Sequence, residues 1–549
     1  MSGLALHPLQ SPSAPSNSDA PIHTLPAELL VMIFVVIADN IIDIGRTKAP
    51  PCMFLSHVCG RWRTVALACQ ELWSTFLPRK SVKWTEDCLG RCPSIPLEVS
   101  IDMNYAWVDG SIEATALVMQ HWARISNLRV RPAIYPSDTN AEELSEGSQA
   151  ILETLFGFLA RPTECLEALE LDMSCDFGVV NENWIPVALP QHLFGSLPPP
   201  RLHRLKLTLC RLPATPPLQL FAPSLRSLEL VNAKAWPDID TMVAYLQTVP
   251  LLESLTYQFW LESDDNFDCR PSRNHRARCV HLPNLRKLYL NGLWTQNIAI
   301  FSYIAIPSRC DLASDYHALV PIDDSSSVAT VMRLITIYNQ ALTEHLAPAI
   351  SNGAFYSYVE ISDYGVDAEL ETETRLEQIK RQKMLLPPEL KGYFCLPLTE
   401  VDIIVQAAFR TFLTQPILTN ADRLAFNAEA WRHCPDAFDR YSAVREVLLE
   451  ECEGMTAFTS ALRLRGASLF PNLRRIVLHR LSTDQALSDS SVKLAEAIRD
   501  THVADGSFER IELEHCDHVT ESVDNAMIAV LGANRVVRNQ PLMDKMDQT

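Results

Sequence analysis

The chain has 549 residues, 47% of them hydrophobic and 21% charged, a composition that folds and a length well beyond one small core. With 66 Asp+Glu against 47 Lys+Arg the formal net charge is −19. Such a surface repels phosphate backbones and argues against nucleic acid as a partner.

Residues 1–20 are rich in Ser, Pro and Ala, carry no periodicity and are expected to be disordered. The first Lys or Arg is Arg46, so the start has neither the basic region of a secretory signal nor the Arg-rich face of a presequence. The 15 cysteines follow no regular spacing and then read as reduced thiols of a cytoplasmic or nuclear protein. The apolar run from Leu29 to Ala38 is broken by Asp39 and Asn40 and is too short to span a membrane, so no membrane partner is expected.

Residues 21–77 are expected to form a compact helical unit. In "PIHTLPAELLVMIF" Pro26 suits the first turn of a helix, and Leu29, Leu30, Ile33, Phe34 and Ile37 then recur at helical spacing. Residues 39–51 read as a loop ending in Pro50-Pro51. The segment "MFLSHVCGRWRTVALACQELW" (53–73) is expected to be a second helix. It would carry Leu55, Val58, Cys59, Trp62 and Ala66 on one face, with Cys69 continuing it and Leu72 and Trp73 in a last turn.

"LPAELLVMIF" followed by "LSHVCGRWRTVALACQELW" resembles the F-box family, because both halves of its pattern occur in order. The stretch from Val35 to Met53 is longer than in a minimal F-box and is expected to be an extended loop. The resemblance implies docking on a Skp-type adaptor and, through it, on a cullin in an SCF-type ubiquitin ligase. The residues that match the motif, and so form the implied adaptor-binding set, are Leu25, Pro26, Leu29, Leu30, Ile33, Phe34, Val58, Cys59, Trp62, Leu72 and Trp73. Some of them must hold the helical unit together instead.

Residues 78–535 carry a strand pattern. "PRLHRLKL" (200), "PSLRSLEL" (223), "PLLESLTY" (250), "PNLRKLYL" (283) and "PNLRRIVL" (471) share a leading Pro and an apolar-x-x-apolar-x-apolar core. That core recurs without Pro at "ISNLRV" (125), "LEALEL" (166), "YSYVEI" (356), "LTEVDI" (398) and "FERIEL" (508). Successive copies from 166 to 283 lie roughly 23 to 35 residues apart, an irregular leucine-rich-repeat-like period. The last two apolar residues of each copy share one strand face, so Leu205 and Leu207, Leu228 and Leu230, and Leu288 and Leu290 are expected to point inward. Lys206, Glu229, Tyr289, Val477 and Glu512 are expected to point outward, on a candidate target-binding face. The Pro, which cannot donate to a ladder, is expected at strand entry.

Helix-compatible stretches lie between the strands. One is "WPDIDTMVAYLQTV" (236–249), with Asp238 as N-cap and Ile239, Met242, Val243, Tyr245 and Leu246 on one face. Strand and helix stacked many times give the expected fold class: α/β, a small helical F-box followed by an irregular leucine-rich-repeat-like solenoid. A segment at about 300–465 reads as a possible insertion. Within it, 368–391 reads as a charged helix, and 536–549 reads as a polar tail.

Catalytic motifs are missing. There is no Gly-rich phosphate loop, no Gly-x-Ser-x-Gly elbow and no His-Glu-x-x-His helix, so no enzyme, catalytic residue or cofactor is expected. Cys269, His275 and Cys279 sit in a polar loop (262–279) at a spacing that fits no common zinc finger, and no metal is expected. Arg270, Arg273, Arg276 and Arg278 make that loop the basic cluster of the chain, either a solvated loop or a contact for an acidic or phosphorylated target. The expected function is that of a substrate-recognition subunit: the F-box binds the adaptor and the repeats hold a target. The alternative is an interaction scaffold that binds the adaptor without forming an active ligase.

Overall fold

A computed structural model of the chain describes residues 24–40, 51–79, 81–102, 111–131, 146–174, 186–213, 219–259, 267–307, 310–316, 325–353, 355–361, 366–369, 391–394, 410–479, 485–503, 506–514, 516 and 521–539. The start expected to be disordered, the loop at 41–50, residues 262–266, the strand pattern at 398, most of the charged segment (370–390) and residues 540–549 lie outside the described residues. The structure is mixed α/β with parallel sheet pairing, and its strands form an open order rather than a barrel among the described residues. Two compact units divide it: residues 1–133 with 163–168, and residues 134–162 with 169–549.

The first unit contains α1 (Ala27–Asn40), α2 (Pro51–Ser56), α3 (Gly60–Ala68), α4 (Glu71–Ser74), α5 (Val82–Arg91), β1 (Leu97–Asp102), α6 (Ser111–Met119) and β2 (Ile125–Arg131). Pro26 lies just before α1, and its carbonyl accepts the first helical bond, from the Leu30 N–H at 3.2 Å. The single helix expected over 53–73 is three helices. The chain turns at His57-Val58, with His57 N–H on the Phe54 carbonyl at 3.1 Å, and Cys59 then takes an extended conformation. The Cys59 Sγ caps α3 by accepting the Trp62 N–H at 3.4 Å. Cys69, again extended, ends that helix. The unit does not stop at residue 77, because Leu77 joins the edge of β1: its N–H donates to the Glu98 carbonyl at 3.1 Å and its carbonyl accepts from Ser100 at 2.7 Å.

The second unit holds α7 (Glu146–Leu159), then most of β3 (Ala168–Asp172), β4 (Arg204–Thr208), β5 (Ser227–Val231), α8 (Ile239–Leu246), β6 (Ser254–Gln258), β7 (Lys287–Gly292), α9 (Trp294–Tyr303) and β8 (Asp311–Tyr316). After α10 (Ser325–Ser351) come β9 (Tyr358–Ile361), β10 (Val366–Glu369), β11 (Lys391–Phe394), β12 (Arg423–Phe426), β13 (Glu446–Leu449), α11 (Cys452–Arg465), β14 (Arg475–His479), α12 (Gln485–Ile498), β15 (Arg510–Glu514), α13 (Glu521–Leu531) and β16 (Val536–Asn539).

From β4 to β8 each strand pairs in parallel with the next in the chain, and the same holds from β12 to β16. Between these blocks the spatial order is β8-β11-β10-β9-β12, and β10 runs antiparallel to both neighbours. This reversal lies within the segment read as a possible insertion. Ala368 and Glu369, expected at the start of a charged helix, belong to β10. Val536–Asn539, expected in a polar tail, is instead strand β16, because its backbone completes a ladder with Ile511–Glu514.

The repeated motif builds a turn and a strand. Leu202, Leu205 and Leu207 are fully buried, as are Leu225, Leu228 and Leu230, then Leu285, Leu288 and Leu290. Each such side chain contributes roughly 1.5 to 3 kcal/mol by leaving water. The leading Pro is not at strand entry. It occupies the second position of a tight turn whose fourth residue is the first buried Leu: Leu225 N–H donates to Ala222 O at 2.9 Å, Leu252 to Val249 at 3.2 Å, Leu285 to Leu282 at 3.1 Å and Leu473 to Phe470 at 2.9 Å. The fixed φ of proline suits that position, and the turn needs no N–H there.

At Ser224 and Asn472 the residue after the Pro also ties its turn to the preceding one. Ser224 Oγ donates to the Leu202 carbonyl at 2.8 Å, and Asn472 Nδ2 to Ser442 at 2.8 Å. The helix expected at 236–249 forms as α8. Asp238 caps it by accepting the Thr241 N–H at 2.7 Å, and all five predicted apolar residues are buried.

Candidate functional site

In the first unit α1 has two apolar faces. Leu30, Phe34 and Ala38 lie at four-residue spacing and are buried. The Phe34 ring packs on Trp62, centroids 4.8 Å apart, beside buried Leu55, Ala66 and Leu72. Trp73 is sealed as well: its Nε1 donates to the Ala66 carbonyl at 3.2 Å, and the Arg91 guanidinium covers its ring at 4.5 Å. Burial pushes the Cys69 thiol up to about 11 and leaves it unreactive. The Arg61 guanidinium donates to the Leu25 carbonyl and fixes the turn before α1.

The other face of α1 is exposed to solvent. Leu29, Met32 and Val36, at spacings of three and four, are 44%, 64% and 57% exposed. Pro26 is exposed and Leu25 and Ile33 are half-buried. Phe54, Val58 and Leu67 of the same unit are also exposed, and Cys59 is half-buried. The motif-matching residues thus fall into two groups. Leu30, Phe34, Leu72 and Trp73 serve the unit's own core, with half-buried Trp62 against it. Leu25, Pro26, Leu29, Ile33, Val58 and Cys59 retain access to solvent. Met32, Val36, Phe54 and Leu67 were not among the expected site residues, although the spacing Leu29-Met32-Val36 marks a second stripe on the same helix.

In the second unit, register brings three of the expected outward residues into one row. Lys206 lies opposite Glu229, Glu229 opposite Thr256, Thr256 opposite Tyr289 and Tyr289 opposite Ala313. All five are half-buried. Lys206 Nζ meets Glu229 Oε1 at 2.7 Å, and the Tyr289 hydroxyl accepts from Asn291 Nδ2 at 3.0 Å. The row is polar at one end and aromatic at the other.

Val477 and Glu512 do not belong to an open face: they are 3% and 4% exposed. Val477 packs beside Leu448 and Ala425 on the adjoining strands, a row of apolar side chains that cover one another. The Glu512 carboxylate is covered by guanidinia: Arg475 Nη1 stands 3.3 Å away, and Arg510 Nε donates to the same oxygen. The pattern continues sideways, with Arg423 Nε on Glu446 Oε1 at 3.2 Å and Arg475 Nε on Glu446 Oε2 at 2.6 Å. This alternating ladder across β12 to β15 neutralises two buried carboxylates.

The loop after residue 266 is held from both ends. Ser272 N–H donates to the Tyr303 hydroxyl at 2.9 Å, and Ser272 Oγ accepts the N–H groups of Asn274 and His275 at 3.0 and 2.8 Å. Cys269 is desolvated and its thiol pushed up to about 12. Among the described residues no three His, Cys, Asp or Glu side chains stand close enough to hold a metal ion, so Cys269, His275 and Cys279 are not brought together as ligands. No helix among the described residues is long and apolar enough to cross a membrane. No protein-family model matches the chain, and no curated protein matches it.

Proposed function

We propose that the chain is the substrate-recognition subunit of an SCF-type ubiquitin ligase, with the first helical unit acting as an F-box on a Skp-type adaptor. The observation that carries this reading is the second apolar face of α1. With one face of the helix sealed at Phe34 against Trp62, the core of the unit leaves the apolar side chains of Leu29 and Met32, and much of Val36, exposed. Their exposure is the kind that a partner's surface relieves. The adaptor then buries Leu29, Met32, Val36 and Val58, while Leu30, Phe34 and Trp73 keep the unit folded.

The second unit serves as an irregular leucine-rich-repeat-like solenoid. Its target face is centred on the row Lys206, Glu229, Thr256 and Tyr289, and Val477 and Glu512 have no part in it. The receptor does no bond chemistry: it raises the local concentration of target lysines beside the transfer machinery, the cullin being reached through the adaptor.

The test is co-purification with a Skp-type adaptor. Leu29→Asp and Met32→Asp are expected to weaken binding at least about a hundredfold, the equivalent of ~3 kcal/mol, with an unchanged circular dichroism spectrum. Undiminished binding in both variants removes this face from the interaction, and no binding by the unmodified chain removes the reading.

A further inference from the structure

The loop at 267–279 and α10 enclose a cleft of about 600 Å³, lined by Arg270, Pro271 and Arg273 from the loop and Ala329, Thr330 and Arg333 from the helix. Among the described residues that line it, three carry guanidinium groups and none a carboxylate. Arg270 is held by Asp268, Nε to Oδ2 at 2.7 Å. Arg273 and Arg333 form no ion pair among the described residues. Of the described acids nearby, Asp240 accepts through Oδ2 from Asn274 Nδ2 at 2.7 Å, and Glu344 faces Arg278 at 3.7 Å.

In a chain with 66 acidic residues, the described charged side chains lining this cleft are all cationic, and of them only Arg270 has a described carboxylate partner, Asp268. Like charges around one cavity repel, and an anion inside it removes that repulsion. The Arg273 backbone is also fixed in advance by the Ser272 and Tyr303 bonds, so little loop ordering opposes binding.

We infer that this cleft binds a phosphoryl dianion, free or carried on a side chain of a partner polypeptide, with Arg273 and Arg333 as its main donors. Guanidinium forks match the several oxygens of such a group, and a net charge of −19 disfavours a long polyanion crossing the rest of the surface. The inference is independent of what the first unit docks on.

The experiment is calorimetric titration of the full chain at low ionic strength with inorganic phosphate, a phosphoserine octapeptide and the same peptide unphosphorylated. Saturable binding of phosphate and of the phosphopeptide is expected, with none for the unphosphorylated form. The double variant Arg273→Ala/Arg333→Ala is expected to bind at least tenfold more weakly with unchanged circular dichroism. Arg276→Ala, in the same loop but outside the cleft, is expected to stay within about twofold. Tighter binding of the phosphopeptide than of phosphate assigns the site to a modified partner, and equal binding assigns it to the free ion. Absence of saturable binding, or an equal loss in Arg276→Ala, overturns the inference.

Discussion

His345 is buried against Phe301, ring centroids 5.9 Å apart, and burial, reinforced by the Arg278 charge, pulls its pKa down to about 4. Glu344, 3.7 Å from Arg278, only partly offsets that charge. The unfolded chain takes up this proton near 6.5, the folded chain only near about 4. Between those values the unfolded state binds more protons, so stability is present above the upper value and falls as pH drops through the window. The slope is at most about 1.4 kcal/mol per pH unit for the one group. His345→Gln is expected to flatten that part of the stability–pH curve in denaturant titrations at a series of pH values. An unchanged slope would show that the imidazole is free to protonate in the fold.

The two groups of motif residues differ in the same kind of measurement. Trp73→Ala opens a cavity and removes the Ala66 bond, at a cost of about 3 to 5 kcal/mol, whereas Leu29→Ala is expected to shift stability by less than about 0.5 kcal/mol. Both are read by chemical denaturation of the purified chain.

At the level of elements, much was legible because two periods were clean. The spacing of Leu205 and Leu207, and of their counterparts on β5 and β7, announced strands with one buried face, and the capped stretch at 238–246 announced a helix. Asp238→Ala is expected to destabilise by about 1 kcal/mol through loss of the Thr241 bond, and Asp238→Asn to restore most of it, as followed by thermal melting.

What the pattern concealed has physical causes. Proline reads as an edge residue from its missing donor, yet the same missing donor and fixed φ suit a turn, and only the bonds to Leu225, Leu252, Leu285 and Leu473 distinguish the two. The break at Cys59 is invisible to periodicity because a thiol is an unusual cap. Lys206, Glu229 and Tyr289 lie half-buried in one register row, between the buried leucines of their strands. Val477 and Glu512 escaped because whether an outward position is covered depends on side chains more than 25 residues away in the chain, such as Leu448 and Arg475. Glu446, between Arg423 and Arg475, is the position where that cover is most consequential. Glu446→Ala removes a carboxylate from Arg423 and leaves Arg475 to Glu512 on a half-buried face, and is expected to lose about 3 kcal/mol, detectable by chemical denaturation.

At the scale of the whole molecule, strand neighbours within each parallel block of the second unit are also chain neighbours, so disturbance should stay local. A core substitution such as Ile476→Asp in β14 is expected to raise amide exchange in β13 and β15 while leaving β4 to β7 protected, as mapped by hydrogen exchange with mass spectrometry. Uniform deprotection across the unit would show instead that the two blocks melt together.

The reversed order at the junction matters during synthesis on the ribosome. The open margin of β8 finds its partner only when Lys391–Phe394 emerges, although β9 and β10 leave the exit tunnel first. A nascent chain arrested between these points carries an unsatisfied row of backbone donors and acceptors, able to recruit another copy by edge-to-edge addition. Chains released short of residue 391 should therefore self-associate, and those extended past 394 should not.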